Sequence, residues 1–96
     1  MTKNQYLLSL SSSPDGDEIC LHADSEGLAV LIKQLESLRK ALESDEAPHS
    51  HLMSESWGMN DLTESMLKSE QQENYQQVHH IKLYGWSKQW RSKHGL

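Results

Sequence analysis

Four of the six histidines in this 96-residue chain lie in two short segments. The first, residues 49–58, reads HSHLMSESWG and carries His49 and His51. The second, residues 78–86, reads VHHIKLYGW and carries His79 and His80. Each segment also sets a tryptophan near a glycine. In an extended strand alternate side chains share a face, so His49, His51, Met53 and Glu55 point one way. In the second segment Val78, His80, Lys82, Tyr84 and Trp86 share one face, and His79, Ile81 and Leu83 share the other. Ile81 and Leu83 mark their set as the core side. The open side is then expected to carry His80, Lys82 and Tyr84, beside His49 and His51.

Three chemistries suit such a cluster. Histidines two apart on one strand can both reach a metal ion, and His80 or Glu55 would supply a third ligand. The spacing lacks the fixed paired ligands of HExxH or CxxC sites, so it is a weak signal for a metal. A small enzyme could instead use His80 as a base oriented by Glu55, with Lys82 or Tyr84 stabilising an anion. Against this, the chain has no Gly-rich phosphate loop, no cofactor fingerprint and no nucleophile in a recognisable setting. Cys20, the single cysteine, is expected to be a small buried apolar group. The third chemistry is recognition of another protein. Trp57, Tyr84 and Trp86 are the residue types that anchor interfaces, and His49, His51, Glu55, His80 and Lys82 would supply the polar contacts. Trp86 and Trp90 are also expected to pack structurally, because the core is short of large apolar groups.

Composition bounds the fold that positions these residues. The length suits one domain covering residues 1–96. Only 35% of residues are apolar and none is Phe, so the core must be small. One cysteine allows no internal disulfide and suits a reducing cytoplasm. The start, MTKNQYLLSL, has no basic region followed by a long apolar run, so no signal peptide is expected. No apolar stretch approaches the roughly 20 residues needed to span a bilayer. Residues 1–75 hold all 14 acids against five Lys and Arg, a net of −9, while residues 76–96 hold four bases and no acid. That balance disfavours nucleic acid as a partner and suits a basic protein. Glu36, Glu43, Asp45 and Glu46 are candidates for steering it electrostatically.

The local patterns predict an α+β fold in the order β-β-α-β-β-β-α. Residues 5–12 alternate as a strand, Ser13-Pro14-Asp15-Gly16 is turn chemistry, and residues 17–22 return as a second strand. Asp24 or Ser25 caps a helix over residues 25–43, whose Leu28, Leu31, Ile32, Leu35, Leu38 and Leu42 form one apolar stripe. Gly27 and Val30 weaken that helix slightly. Pro48 ends a polar connector. Residues 51–56 read as a third strand, residues 58–61 as a turn, and residues 61–67 as a returning strand or a short helix. KSEQQEN, residues 68–74, reads as a loop. Residues 76–86 form one strong strand. Ser87 caps a short final helix that Gly95 stops. The economical assembly is an antiparallel sheet of about five strands with the long helix on one face. An exposed sheet edge leaves both a monomer and a homodimer open.

HLMSESWG, followed by LTE and then VHHIKLYGW, resembles the immunity protein 32 family of bacterial polymorphic toxin systems. The resemblance covers residues 49–86. The matching positions are His49, His51, Glu55, Trp57, Gly58, His79, His80, Lys82, Tyr84 and Trp86. Where the family often carries a further glycine after Trp-Gly, this chain has Met59 and Asn60. The resemblance implies a small, cofactor-free cytoplasmic protein, not an enzyme, that binds and neutralises a cognate toxin domain.

Overall fold

The computed structural model describes residues 6–96, so the first residue of the predicted opening strand lies outside the described residues. Strands β1 (Leu8–Ser12) and β2 (Ile19–Ala23) form the expected antiparallel hairpin, with Leu8 opposite Ala23 and Ser12 opposite Ile19. Its turn is built locally. Ser13 Oγ donates to Asp15 Oδ1 at 2.7 Å, the Asp17 N–H donates to the same oxygen at 3.0 Å, and Gly16 takes φ +78°.

Helix α1 (Ser25–Ala41) follows at once. Asp24 is its N-cap and accepts the Gly27 N–H at 2.8 Å, a bond that holds the Asp24 carboxyl below the usual carboxylate range. Gly27 is buried against the chain entering β1, and Val30 and Leu31 reach the core. The Gln34 amide oxygen accepts from Ser50 Oγ at 2.9 Å, tying the middle of the helix to β3 (His49–Met53).

The predicted single sheet is two sheets. One has the order β2-β1-β4, with β4 spanning Gln76–Val78; the other pairs β3 with β5, His80–Tyr84. The strand expected over residues 76–86 therefore divides at His79. Its first part pairs antiparallel with β1, Leu10 opposite Val78, and its second with β3, Leu52 opposite Ile81. The segment read as a returning strand, residues 61–67, causes the division. It runs between the sheets instead of extending either one. Thr63 donates its N–H to the Leu8 carbonyl at 2.8 Å, Leu62 donates to the Met53 carbonyl at 3.1 Å, and Leu62 bridges to Ser54. These bonds occupy the backbone edge that a continuous sheet would have used. Residues read as loop form a short helix, α2 (Lys68–Gln72), and the chain ends in α3 (Lys88–Lys93), capped by Ser87 as expected.

Leu8, Leu52 and Leu62 are fully buried, with Tyr6, Leu10, Ala23, Val30, Leu31, Ile81 and Leu83 packed around them. Leu62, from the inserted segment, joins the two sheets through one core. The opposite side of β1 is polar. Ser9 donates to the Ser65 carbonyl, and Ser11 Oγ donates to Glu70 Oε1 at 3.0 Å. Glu70 is buried and meets His22 Nε2 at 2.8 Å through its other oxygen. Hydrogen bonding from His22 first, then from Ser11 and the Leu67 N–H, holds its carboxyl below the usual range against the opposing pull of burial. Among the described residues every buried side-chain nitrogen and oxygen has a partner. Cys20 is half-buried at the edge of this network, where burial and the carboxylates of Glu70 and Glu18 push its thiol up. It is neither the enclosed apolar group expected nor an activated nucleophile.

Candidate partner-binding face

The register of β3 and β5 sets three cross-strand rows on one face: His49 with Tyr84, His51 with Lys82, and Met53 with His80. The other face carries Leu52, Ile81 and Leu83 into the core and Ser50 toward α1. Strand parity within β3 and β5, together with their register, assembles His49, His51, His80, Lys82 and Tyr84 on one surface.

Their rings form a continuous strip. His49 lies 6.2 Å from Tyr84 and 5.3 Å from His51, and His51 stacks at 5.1 Å on His80, all centroid to centroid. Trp57 extends the strip, with its ring 6.3 Å from His80. The Lys82 ammonium sits 5.3 Å from the Tyr84 ring centre, a cation–π contact. Trp57 and Tyr84 are 58% and 54% exposed, so both ends of the strip offer aromatic surface to solvent.

Trp57 is aimed by its own turn. Glu55–Trp57 make one 3-10 turn, in which the Trp57 N–H reaches the Ser54 carbonyl at 3.0 Å. The turn closes on Gly58 at φ +98°, a left-handed conformation that suits glycine. The indole lies 5.8 Å from the His79 ring and nearly parallel to it. His79, expected on the core side, sits at the junction of β4 and β5. There Ser54 Oγ is 2.8 Å from its Nδ1 and Glu64 lies 4.0 Å away. Glu64 also accepts the Ser56 N–H at 2.9 Å and the Ser56 hydroxyl at 2.8 Å, which hold its carboxyl below the usual range. Ser54, Glu64 and His79 therefore position Trp57. The sequence reading missed all three roles, because each depends on segments that only the fold brings together.

Glu55 is a correction. The strand ends at Met53, so Glu55 leaves the histidine face and lines a neighbouring open cleft of about 440 Å³ with Tyr6, Ser56, Asn60 and Glu64. The His80–Glu55 acid–base pair that the enzyme alternative requires does not form; His80 Nε2 meets His51 Nδ1 at 2.9 Å instead. The same displacement removes Glu55, though not His80, from the possible third metal ligands. Among the described residues no three His, Cys, Asp or Glu side chains converge where an ion could be held. Trp86 and Trp90 lie outside the strip and flank His94, at 5.4 and 4.6 Å between ring centres.

In the His51–His80 bond one ring must donate and the other accept, so two protons on the bonding nitrogens would break it. Burial, followed by the charges of His80, His49 and Lys82, holds the His51 pKa below its ordinary 6.5. A histidine that takes its proton less readily when folded contributes stability above 6.5, and that contribution is lost as pH falls below it. Denaturation midpoints measured at pH 7.5 and at pH 5.5 (about two units spanning that value) are expected to be lower at the acid end. His51→Asn is expected to reduce the difference. Equal slopes for the two proteins would show that His51 does not carry it.

These features define a small α+β protein whose chemistry-bearing side chains line an open sheet face. The chain belongs to the immunity protein 32 family, whose model matches residues 18–83, and that membership supports an immunity function. No curated protein and no solved structure matches it. Among the described residues no helix is long and apolar enough to cross a membrane.

Proposed function

We propose that this chain is a single-domain, cofactor-free immunity protein that binds and neutralises a cognate toxin domain in the cytoplasm. It acts by binding and not by catalysis. The observation that carries the reading is the ring strip Trp57–His80–His51–His49–Tyr84, half-buried at His51 and His80 and exposed at the other three, on a chain whose family is one of immunity proteins. Aromatic rings held rigidly by their neighbours bury large area at small entropic cost, as interface anchors do. The strip itself bears no carboxylate, while Glu55 and Glu64 line the cleft beside it. The toxin surface that fits this pattern is aromatic or carboxylate-bearing opposite the histidines and basic opposite the cleft. The chain's net charge of −5 favours a basic toxin overall and disfavours nucleic acid or a membrane surface as the partner.

The test is association of the purified protein with the toxin domain encoded beside it, measured at about 50 mM and about 500 mM salt. The expected result is a stable complex that protects cells expressing the toxin and whose association rate falls at high salt. A complex indifferent to salt would remove the charge-steering element. Failure to bind or protect would overturn the proposal.

A further inference from the structure

The six apolar residues expected to share one buried stripe on α1 divide between two directions. Leu31 packs on the core and Leu38 and Leu42 lie at Gly85, but Leu28, Ile32 and Leu35 are 44%, 52% and 46% exposed. At about 100° per residue, these three and Arg39 fall within an arc of about 60° beside the core-facing side. Ile32, Leu35, Glu36 and Arg39 border a shallow groove of about 260 Å³. This stripe is therefore a second exposed surface, separate from the ring strip. Ser50 bonds to α1 from one face of β3, and the histidines leave from the other.

We propose that a second copy of this chain occupies the stripe, through antiparallel pairing of the two α1 helices about a two-fold axis. The positions 28, 32, 35 and 39 are separated by four, three and four residues, so the pattern reads identically in both directions. That is the self-complementarity an isologous contact requires. With the axis at the middle of the pattern, Ile32 of each copy faces Leu35 of the other. Leu28 faces the aliphatic stem of Arg39. The charges agree with the same orientation. Asp24, at the start of each helix, lies about one turn from Arg39 of the other, and the helix dipoles oppose. The contact is narrow, so the dimer is weak, dissociating in the micromolar range. It leaves the ring strip of each copy free.

Sedimentation of the full chain from about 1 to about 300 µM, a range that brackets such an affinity, tests the pairing. The weight-average mass is expected to rise from 11.0 kDa toward twice that value. Ile32→Lys and Leu35→Glu, each at an exposed position, are expected to stay monomeric with unchanged circular dichroism and melting temperature. Mixing these two variants is expected to restore dimer. The introduced lysine of one chain then faces the introduced glutamate of the other, while the unchanged Leu35 of the first faces the unchanged Ile32 of the second. A monomer throughout the range overturns the proposal, as does a dimer that survives in both single variants. Dissociation without recovery on mixing overturns the antiparallel register. A monomer whose Ile32→Lys variant binds toxin less tightly would assign the stripe to the toxin and overturn the second copy.

Discussion

Gly27→Ala is expected to destabilise this protein severely, although the same exchange inside an ordinary helix stabilises it by about 1 kcal/mol. The reason is contact with the backbone. A Cβ built on Gly27 would lie 1.7 Å from the Leu7 carbonyl oxygen and 2.7 Å from its carbon. That oxygen already accepts the Asp24 N–H at 3.2 Å, while the Asp24 side chain accepts the Gly27 N–H. The first turn of α1, its cap and the entry to β1 thus form one unit with no flexible side chain to yield. Making room requires the helix start to leave β1. The expected cost is about 3 kcal/mol or more, at the upper end of overpacking. A chain of this size has roughly 5–14 kcal/mol of stability in all, so a fall in melting temperature of about 15 °C or more follows. Ala29→Gly, at an exposed position of the same helix, is the control and is expected to cost about 1 kcal/mol. A Gly27→Ala variant as stable as the parent would mean that the helix does not lie so close.

Trp57→Ala is expected to separate binding from folding. In the free protein the indole is more than half exposed and stacks on His79 with His80 at its edge, so its removal lowers stability by about 1 kcal/mol. In the proposed complex it is a rigid aromatic at the end of the ring strip. There truncation is expected to cost about 3 kcal/mol, roughly a hundredfold in affinity, mostly as faster dissociation. Trp57→Phe keeps a flat apolar ring and is expected to fall between the two. Calorimetry with the toxin domain, alongside thermal melts of the free variants, reads both effects. Equal affinity for parent and Trp57→Ala would show that the toxin docks elsewhere, and family membership would stand unchanged.

The glycine illustrates how far local sequence reading reaches. On propensity, Gly27 is a weak point of a helix; in the fold it is the one residue type that lets α1 lie against Leu7. The hairpin turn, the Asp24 cap and the alternation that groups His49 with His51, and His80 with Lys82 and Tyr84, are encoded within a few residues; the pairing of β3 with β5 is what joins the two groups. Turn chemistry, capping and side-chain parity act over that distance, so these features were legible. The sequence by itself also determined that the core would be small, since 35% apolar residues without Phe allow little else.

Only the tertiary structure decided which backbone edge each strand would meet. Residues 76–84 have strand chemistry throughout, yet they divide at His79 because Thr63 takes the Leu8 carbonyl and β3 takes the next stretch of edge. The same inserted segment brings Glu64 to Ser56 and His79, and so turns Trp57 toward the histidines. It was likewise the small extent of the core that left Leu28, Ile32 and Leu35 exposed. Periodicity states which residues share a face. Whether that face is covered depends on how much apolar surface the rest of the chain can bring to it, and that is a property of the whole fold.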